Sequence, residues 1–166
     1  MKLELKHLAP YLPYELKAIT TKEGYKNPLY GVIDYWSKYG NVENEISISS
    51  DEGYYLCQPH ELKPYLRPMS DLYKERNGKI DIVELAKMSL NWDWRLDRFD
   101  GQTVARSGES IFFYNDVYNL FELHTSKDKY VAFNQLQLFE YLFANHYDIY
   151  GLLDQNLAIN INEIEL

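Results

Sequence analysis

Three prolines fall within the short stretch PHELKPYLRPMS, residues 59–70, in the middle of this sequence. They are Pro59, Pro64 and Pro68. Each proline removes a backbone N–H donor and pushes the residue before it towards extended geometry. A regular helix therefore cannot run through this stretch. We predict an ordered, extended crossover that lies on the surface.

Segments typical of β-strands occupy the chain ahead of these prolines. In NEISISSD, residues 44–51, Ile46 and Ile48 alternate with polar residues, which is the period-two pattern of a strand with one solvated face. Turn residues lie around Glu23-Gly24 and Asn27-Pro28, and further strands are predicted at LKAIT, LYGVIDYW and YYLCQ. The pattern indicates a twisted antiparallel meander over residues 15–58.

Two amphipathic helices are predicted after the prolines. The first, Asp81–Leu90, follows the Asn77-Gly78 turn and has Asp81 as candidate N-cap, with Glu84 three residues later as in a capping box. The second, Asn134–Asn145, is expected to present one apolar face. The residues of that face are Leu136, Phe139, Phe143 and Tyr147.

The region between these helices combines a polar segment with two predicted strands. NWDWRLDRFDGQTVARSGES, residues 91–110, is expected to form a salt-bridged loop because its arginines are matched by aspartates. IFFY and VYNLFELH, residues 111–114 and 117–124, are typical of buried strands that could pair, and residues 126–129 form a charged turn.

With 166 residues and 46% apolar content, the chain is predicted to form one compact α+β domain over residues 1–166. We expect a mainly antiparallel sheet with the two principal helices packed on it.

Charge and cysteine content exclude several classes of function. A net charge of −8, from 17 basic and 25 acidic residues, argues against a nucleic-acid-binding surface. The single cysteine, Cys57, excludes an internal disulfide and suits a reducing cytoplasm. No apolar run approaches the ~20 residues of a membrane span, and Glu4 and His7 interrupt any signal-peptide core. The chain is therefore predicted to be cytoplasmic, with no membrane or nucleic-acid partner.

His146 and Asp148 raise the question of a metal site or an acid/base pair. On a helix end, side chains two positions apart diverge by ~200°, and a metal would need at least one further ligand. We favour a packing role, in which His146 caps carbonyls at a helix C-terminus and Asp148 caps the turn IYGLLDQ. An enzyme that uses the two as an acid/base pair is the less favoured alternative. No metal and no cofactor are expected.

Two other sets of residues are candidate binding sites. Trp92, Trp94 and Arg95 are of the types that interface hot spots favour, although nearby aspartates also suit a salt-bridged loop. Arg67 and Asp71 lie in the proline-fixed loop, where an Arg–Asp pair or an Asp turn would equally explain them. No nucleophile elbow, phosphate-binding loop or zinc-protease motif is present, so we do not expect an enzyme.

Three motifs carry a resemblance to a known family. They are L-P-Y-x-L-K at residues 12–17, L-R-P-x-S-D-L at residues 66–72, and H-x-D-[IV]-[FY]-G-L-[LI] at residues 146–153, followed by LAININ. We name them the opening, central and closing motifs. The chain resembles a family of short, uncharacterised proteins of Bacteroides-type bacteria and of their phages and prophages. Glu15 stands where that family is expected to have glycine.

The resemblance implies an origin and a local structure rather than an activity. It implies a phage or prophage accessory protein in the cytoplasm of the bacterial host. The apolar closing motif implies a helix, a tight turn and a final strand that locks onto the sheet. We therefore expect a non-catalytic protein that binds a host or phage protein. The alternative is a small-molecule binder, for example of a nucleotide signal in counter-defence, with Arg67, Trp94 and Arg95 around the ligand.

Overall fold

A computed structural model describes residues 2–20, 30–34, 46–50, 53–125 and 132–164. It shows a mixed α+β architecture in which most strand pairs are antiparallel. The strands are β1 Lys17–Thr20, β2 Tyr30–Asp34, β3 Ile46–Ser50, β4 Gly53–Cys57, β5 Leu62–Leu66, β6 Glu75–Arg76, β7 Lys79–Ile80, β8 Arg95–Phe99, β9 Gln102–Ser107, β10 Ser110–Asn115, β11 Leu120–His124 and β12 Ile159–Asn160. The helices are α1 Leu5–Leu8, α2 Asp81–Ser89 and α3 Gln135–Ala144.

Both principal helices form within one residue of their predicted ends. The short α1 was not predicted, because four residues are too few to show a 3.6-residue period. It is followed by the 3₁₀ helix Ala9–Tyr14, and further 3₁₀ turns occupy Pro59–Glu61, Met69–Tyr73 and Ile161–Glu163. The predicted turns at residues 23–28 and 126–129 lie outside the described residues.

The predicted capping box at the start of α2 is wrong. Ile80 occupies the N-cap position, so Asp81 is the first residue inside the helix. The carboxylate of Asp81 is buried and accepts hydrogen bonds from Arg76 (3.1 Å) and from the Tyr141 hydroxyl (2.8 Å). These tertiary partners, and not a local cap, determine where this acidic side chain lies.

The chain divides into two compact units, each with its own sheet. Unit 1 comprises Met1–Pro68 and Phe143–Leu166, and unit 2 comprises Met69–Leu142. The described strands form three sheets in place of the single sheet expected from the sequence. Unit 1 holds a six-stranded sheet, and unit 2 holds a four-stranded sheet and the β6–β7 hairpin, which turns at Asn77-Gly78 as predicted.

The sheet of unit 1 has the strand order β12-β5-β1-β2-β3-β4. The antiparallel pairing of β1 to β4 in succession confirms the predicted meander. The closing motif was expected to end in a strand on the sheet, and β12 is that strand; its parallel pairing with β5 was not predicted. The face of β3 that was predicted to be solvated is partly buried, since Ser47 is buried together with Ile46 and Ile48. The core consists of Leu3, Leu8, Tyr11, Leu16, Ala18, Ile33, Ile46, Ile48, Cys57, Leu62, Leu66, Leu152 and Ala158.

The proline-rich stretch is extended as predicted, but it is not a surface crossover. Its residues 62–66 form β5, which lies between β1 and β12 and is mostly buried. Pro64 pairs with Ala18 of β1, whereas β12 pairs only with Tyr65 and Leu66. The missing N–H of Pro64 therefore falls outside the β5–β12 ladder, which explains how a proline fits into an inner strand.

Unit 2 is built on a sheet with the strand order β11-β10-β9-β8. The pairing of β10 with β11 fits the two strands predicted there. The preceding segment, predicted as a loop, instead forms the β8–β9 hairpin. Its turn is Asp100-Gly101, with positive φ at both residues (48° and 79°), as a two-residue hairpin turn requires. The alternation of apolar and polar residues fails in this segment, because Arg98 shares a face with Leu96 whereas Phe99 lies on the face of Arg95 and Asp97.

The core of unit 2 is aromatic. Phe112 and Phe121 stack with ring centroids 5.4 Å apart, and Trp94 and Phe133 pack against Phe112 at 6.2 and 5.8 Å. The predicted apolar face of α3 is displaced: Leu136 is 66% exposed, Tyr147 lies beyond the end of the helix, and the buried residues of the helix are Leu138 and Leu142. The observed buried face is rotated from the predicted one by one or two residues. Such a rotation cannot be detected in a helix whose sequence is apolar on more than one side.

Candidate functional site

His146 ends α3 in the left-handed conformation. Its φ of 57° stops the helix, and its backbone N–H donates to the carbonyl of Phe143 at 3.0 Å. The packing interpretation proposed that the imidazole caps the last carbonyls of its own helix. The structure shows a different partner for it. Its Nε2 lies 2.8 Å from the carbonyl oxygen of Tyr14, at the end of the 3₁₀ helix Ala9–Tyr14. Since a carbonyl can only accept, this nitrogen carries the proton.

Asp148 caps the turn that follows, as predicted. Its carboxylate oxygens accept the backbone N–H groups of Leu152 (2.9 Å) and Leu153 (2.8 Å). The side chain is buried, and this burial raises the pKa of Asp148 against the opposing effect of the two N–H donors. The side chains of His146 and Asp148 are thus each held by backbone groups of a neighbouring segment.

Tyr147 connects this segment to the rest of unit 1. The backbone N–H of Arg67 donates to the carbonyl of His146 and that of Asp148 donates to the carbonyl of Arg67, both at 2.8 Å, so that residue 147 bridges residue 67 in parallel. The hydroxyl of the fully buried Tyr11 donates to the carbonyl of Tyr147 at 2.6 Å. The guanidinium of Arg67 also lies 5.8 Å from the centre of the Tyr147 ring.

The opening motif, the closing motif and the first residues of the central motif therefore meet in unit 1. Tyr14 belongs to the opening motif, Arg67 to the central motif, and His146 and Asp148 to the closing motif. Their contacts are main-chain ladders, caps and buried aromatic packing. This geometry supports the packing interpretation of His146 and Asp148.

The titration of His146 gives a testable consequence of its burial. Burial, followed by the nearby cations Arg67 and Lys17, lowers the pKa of His146, although its hydrogen bond to Tyr14 opposes this. In the unfolded chain, His146 has an ordinary histidine pKa of about 6.5. Just below that pH the unfolded chain therefore binds a proton at His146, whereas the folded protein does not. Stability is therefore expected to fall as the pH falls below about 6.5.

We expect His146→Gln to show a smaller loss of stability than the wild-type protein over this pH range. Glutamine retains an N–H donor for Tyr14 but does not titrate. Thermal unfolding followed between pH 8 and pH 5 measures the effect, with His60→Gln as control because the His60 side chain is exposed. Equal pH profiles for the wild type and His146→Gln would contradict this expectation.

Glu15 has a backbone conformation that favours glycine. Its φ and ψ of 55° and 48° are left-handed, and it ends the 3₁₀ helix Ala9–Tyr14. The other described non-glycine residues with positive φ are asparagine, aspartate or histidine, which tolerate this region better. Glu15 is therefore a strained position.

Glu15→Gly is expected to stabilise the protein by roughly 0.5–1 kcal/mol, because relief of left-handed strain exceeds the added entropy of the unfolded chain. The side chain of Glu15 is exposed, so little packing is lost. Chemical denaturation measures the change. Asp100→Gly is the matched control and should gain less, since aspartate already tolerates its φ of 48°.

The structure separates the candidate binding residues of unit 2. Trp92 stacks on Trp94 with ring centroids 5.6 Å apart, and Trp94 is buried with its Nε1 donating to the Leu90 carbonyl at 2.8 Å. Arg95 pairs in register with Arg106, which places it on the face of the sheet opposite to Phe112 and Trp94. The two tryptophans are thus brought together, and Arg95 is not with them.

Arg67 and Asp71 belong to different units. Asp71 lies in the 3₁₀ turn Met69–Tyr73, where its buried carboxylate accepts from Lys74 Nζ at 2.6 Å. Arg67 takes part in the bridge to Tyr147 described above. Both residues therefore have local structural partners.

A surface that the sequence did not reveal lies at the tip of the β10–β11 hairpin. Val117 and Tyr118 are 77% and 70% exposed, more than any other large apolar side chain described. Asn115 orders the tip, because its side-chain oxygen accepts the N–H groups of Val117 (3.0 Å) and Tyr118 (3.2 Å). The apolar VYNLF run favoured a strand, and only the Asn115 turn could have indicated a loop.

Two open clefts lie in unit 1, and neither is lined by a predicted site residue. A cleft of about 510 Å³ is lined by Lys2, Leu3, Glu4, Leu5, Lys6, Gln58, Pro59 and His60. A second, of about 420 Å³, is lined by Pro68, Leu153, Asp154, Asn156, Ala158, Ile159, Asn160 and Glu163. In the first of these clefts, the ammonium group of Lys6 is ion-paired with the carboxylate of Glu4 at 2.9 Å.

Within the described ranges, no group of three or more histidine, cysteine, aspartate or glutamate side chains could hold a metal ion. Over the same part of the chain, no helix is long and apolar enough to cross a bilayer. No family model matches the chain, and no match is found among curated proteins or solved structures.

Proposed function

We propose that this protein is a non-catalytic phage or prophage accessory protein that binds a host or phage protein in the bacterial cytoplasm. The observation that carries the proposal is the exposed Val117–Tyr118 pair on the ordered hairpin tip. The resemblance of the three motifs supports the phage setting.

The hairpin tip has the properties of a preformed contact surface. Tyr114 Oη donates to the side chain of Asn119 at 3.2 Å, and the Nδ2 of Asn115 donates to Glu122 at 2.6 Å. Together with the two bonds to Asn115 Oδ1, these contacts hold the tip in one conformation. A surface that is ordered before binding loses less entropy when the partner docks.

The side chains at the tip suit protein recognition. Tyrosine combines a large apolar ring with a polar hydroxyl at low conformational cost, and it is enriched at binding hot spots. In the free protein neither Val117 nor Tyr118 gains from burial, so packing does not explain why the tip carries them. A protein partner that covers both would supply that burial.

Site-specific photo-crosslinking tests the proposal. A benzophenone amino acid replaces Tyr118, and the protein is irradiated in a Bacteroides-type host. We expect one defined covalent adduct with a host or phage protein, which excess wild-type protein competes and excess Val117→Asp does not. The matched control carries the same crosslinker at Leu56, which is 43% exposed on β4 of unit 1.

An adduct that is no stronger at Tyr118 than at Leu56, or that Val117→Asp competes as well as the wild type, would refute the hairpin tip as the binding surface. A crosslinker at Trp92 tests the surface predicted from the sequence.

Native mass spectrometry of gently purified protein addresses the small-molecule alternative. A bound mass of a few hundred daltons would favour that alternative over protein binding.

A further inference from the structure

The two edges of the four-stranded sheet in unit 2 differ in how their backbone groups are satisfied. At the β11 edge, the side-chain amide of Gln135 accepts the N–H of Phe121 at 3.2 Å and donates to its carbonyl at 2.6 Å. Gln135 thus imitates one residue of a neighbouring strand and seals that edge. β8 forms the opposite edge and pairs only with β9 among the described strands.

The hairpin register shows which groups of β8 point outwards. Phe99 and Gln102 flank the two-residue turn, and such a flanking pair is hydrogen-bonded. Since hydrogen-bonding direction alternates along a strand, Leu96 and Arg98 direct their main-chain groups to the open edge. The N–H of Arg98 is taken by the Asp97 carboxylate at 2.7 Å. The main-chain groups of Leu96 have no partner within the described residues.

The charges on β8 are incompletely matched. Arg95 lies opposite Arg106 on the neighbouring strand, a like-charged cross-strand pair. Asp97, which shares a face of β8 with Arg95, is ion-paired with Arg106 at 2.9 Å. Arg95 is exposed and has no carboxylate partner in the described part of the chain.

These features are complementary to the same strand in a second copy. We infer that two copies of this chain pair antiparallel through β8, with Leu96 opposite Leu96 of the second copy. This register places Arg95 opposite Asp97 of the other copy twice, across the two-fold axis. The open N–H and carbonyl of each Leu96 then bond to each other, and the four-stranded sheet continues through both copies.

Charge distinguishes this register from its neighbours. Residues that face each other must have the same hydrogen-bonding direction, so the neighbouring registers are centred on Arg95, on Asp97 or on Arg98. Each of them would set the central charged residue directly opposite its own copy, and like charges directly opposite are unfavourable. The Leu96-centred register also sets Arg98 of one copy opposite Trp94 of the other. There it lies beside the exposed ring of Trp92, which can accept a cation–π contact.

The inference goes beyond the proposed function and does not rest on it, because the hairpin tip and the β8 edge are different surfaces. It is tested on the purified full chain alone, by analytical ultracentrifugation over about a hundredfold range of concentration. We expect a reversible monomer–dimer equilibrium, with the apparent mass rising from 19.7 kDa towards twice that value. Tyr118→Ala should dimerise as the wild type does, which separates this test from the previous one.

Leu96→Pro removes the central outward N–H while leaving the bonds to β9, since proline is tolerated where the N–H faces solvent. We expect this variant to remain monomeric, with circular dichroism and melting behaviour close to those of the wild type. If Leu96→Pro unfolds, the charge variants carry the test.

Arg95→Glu and Asp97→Lys provide that test by complementation. The homodimer of each variant contains two like-charged contacts. We expect its dissociation constant to be at least roughly tenfold higher than that of the wild-type dimer. An equimolar mixture restores both opposite-charge contacts, so a heterodimer should form. Simple loss of stability cannot produce this recovery.

A wild-type protein that remains monomeric over the whole range overturns the inference and leaves the β8 edge to a segment of another protein. So does a dimer whose strength is unchanged in the two charge variants. Failure of the mixture to recover dimerisation, when both variants are folded and the wild type dimerises, rejects the Leu96-centred register.

Discussion

Tyr11→Ala is expected to lower the free energy of unfolding by about 3–5 kcal/mol, the cost of truncating a fully buried aromatic side chain. The ring of Tyr11 packs edge-on against Phe143 and Tyr150, with centroids 5.1 and 6.5 Å away. Removal of the ring would open a cavity in the core of unit 1 and would also break the bond to Tyr147. Urea denaturation with two probes, far-ultraviolet circular dichroism and tryptophan fluorescence, measures the change.

Tyr11→Phe separates the hydroxyl from the ring. The ring packing is retained, but the buried carbonyl of Tyr147 loses a donor at 2.6 Å, and we expect a loss of about 1–2 kcal/mol. If Tyr11→Phe were as damaging as Tyr11→Ala, the hydroxyl contact and not the packing would dominate. Tyr118→Phe, on the exposed hairpin tip, is the control and should be neutral.

Asp148→Ala is expected to cost about 2–4 kcal/mol, because it leaves two N–H groups without their charged acceptor. Leu152, one of the two donors, is fully buried and has no access to water that could replace the carboxylate. Asp148→Asn keeps one acceptor oxygen in the same shape and should lose about half as much. Equilibrium denaturation near neutral pH measures both variants.

The pair of variants also distinguishes capping from catalysis. Under the capping role, stability decreases in the order wild type, Asp148→Asn, Asp148→Ala. A stability that is unchanged in Asp148→Ala would contradict the two hydrogen bonds and revive an acid/base role for His146 and Asp148. Asp154→Ala, a nearby exposed aspartate, is the control and should have little effect.

Local sequence patterns predicted most of the regular elements. The period-two alternation around Ile46 and Ile48, and the apolar spacing in residues 81–90, are signals that neighbouring residues carry by themselves. For this reason the meander and both principal helices form where expected. The division into two compact units has no such signal, and the prediction of a single domain remains a prediction.

The errors have more than one physical cause. Asp81 has the sequence of an N-cap, yet Arg76 and Tyr141 hold its carboxylate. Residues 95–107 form a local hairpin in which Arg98 shares a face with Leu96, so apolar and polar residues do not alternate. Pro64 lies in an inner strand because the last strand of the sheet begins one residue later.

The sequence by itself determined the two principal helices, the strands of the meander, the acidic character and the segments that carry the three motifs. It also determined that Asp148 should cap the following turn, since a carboxylate next to a short turn can satisfy local N–H groups. Only the tertiary structure decided that Tyr14, Arg67 and His146 meet, and that the two tryptophans stack while Arg95 lies on the opposite face. Hydrogen bonds between segments more than a hundred residues apart depend on how residues 11–14 pack against residues 146–147, and no local propensity encodes that packing.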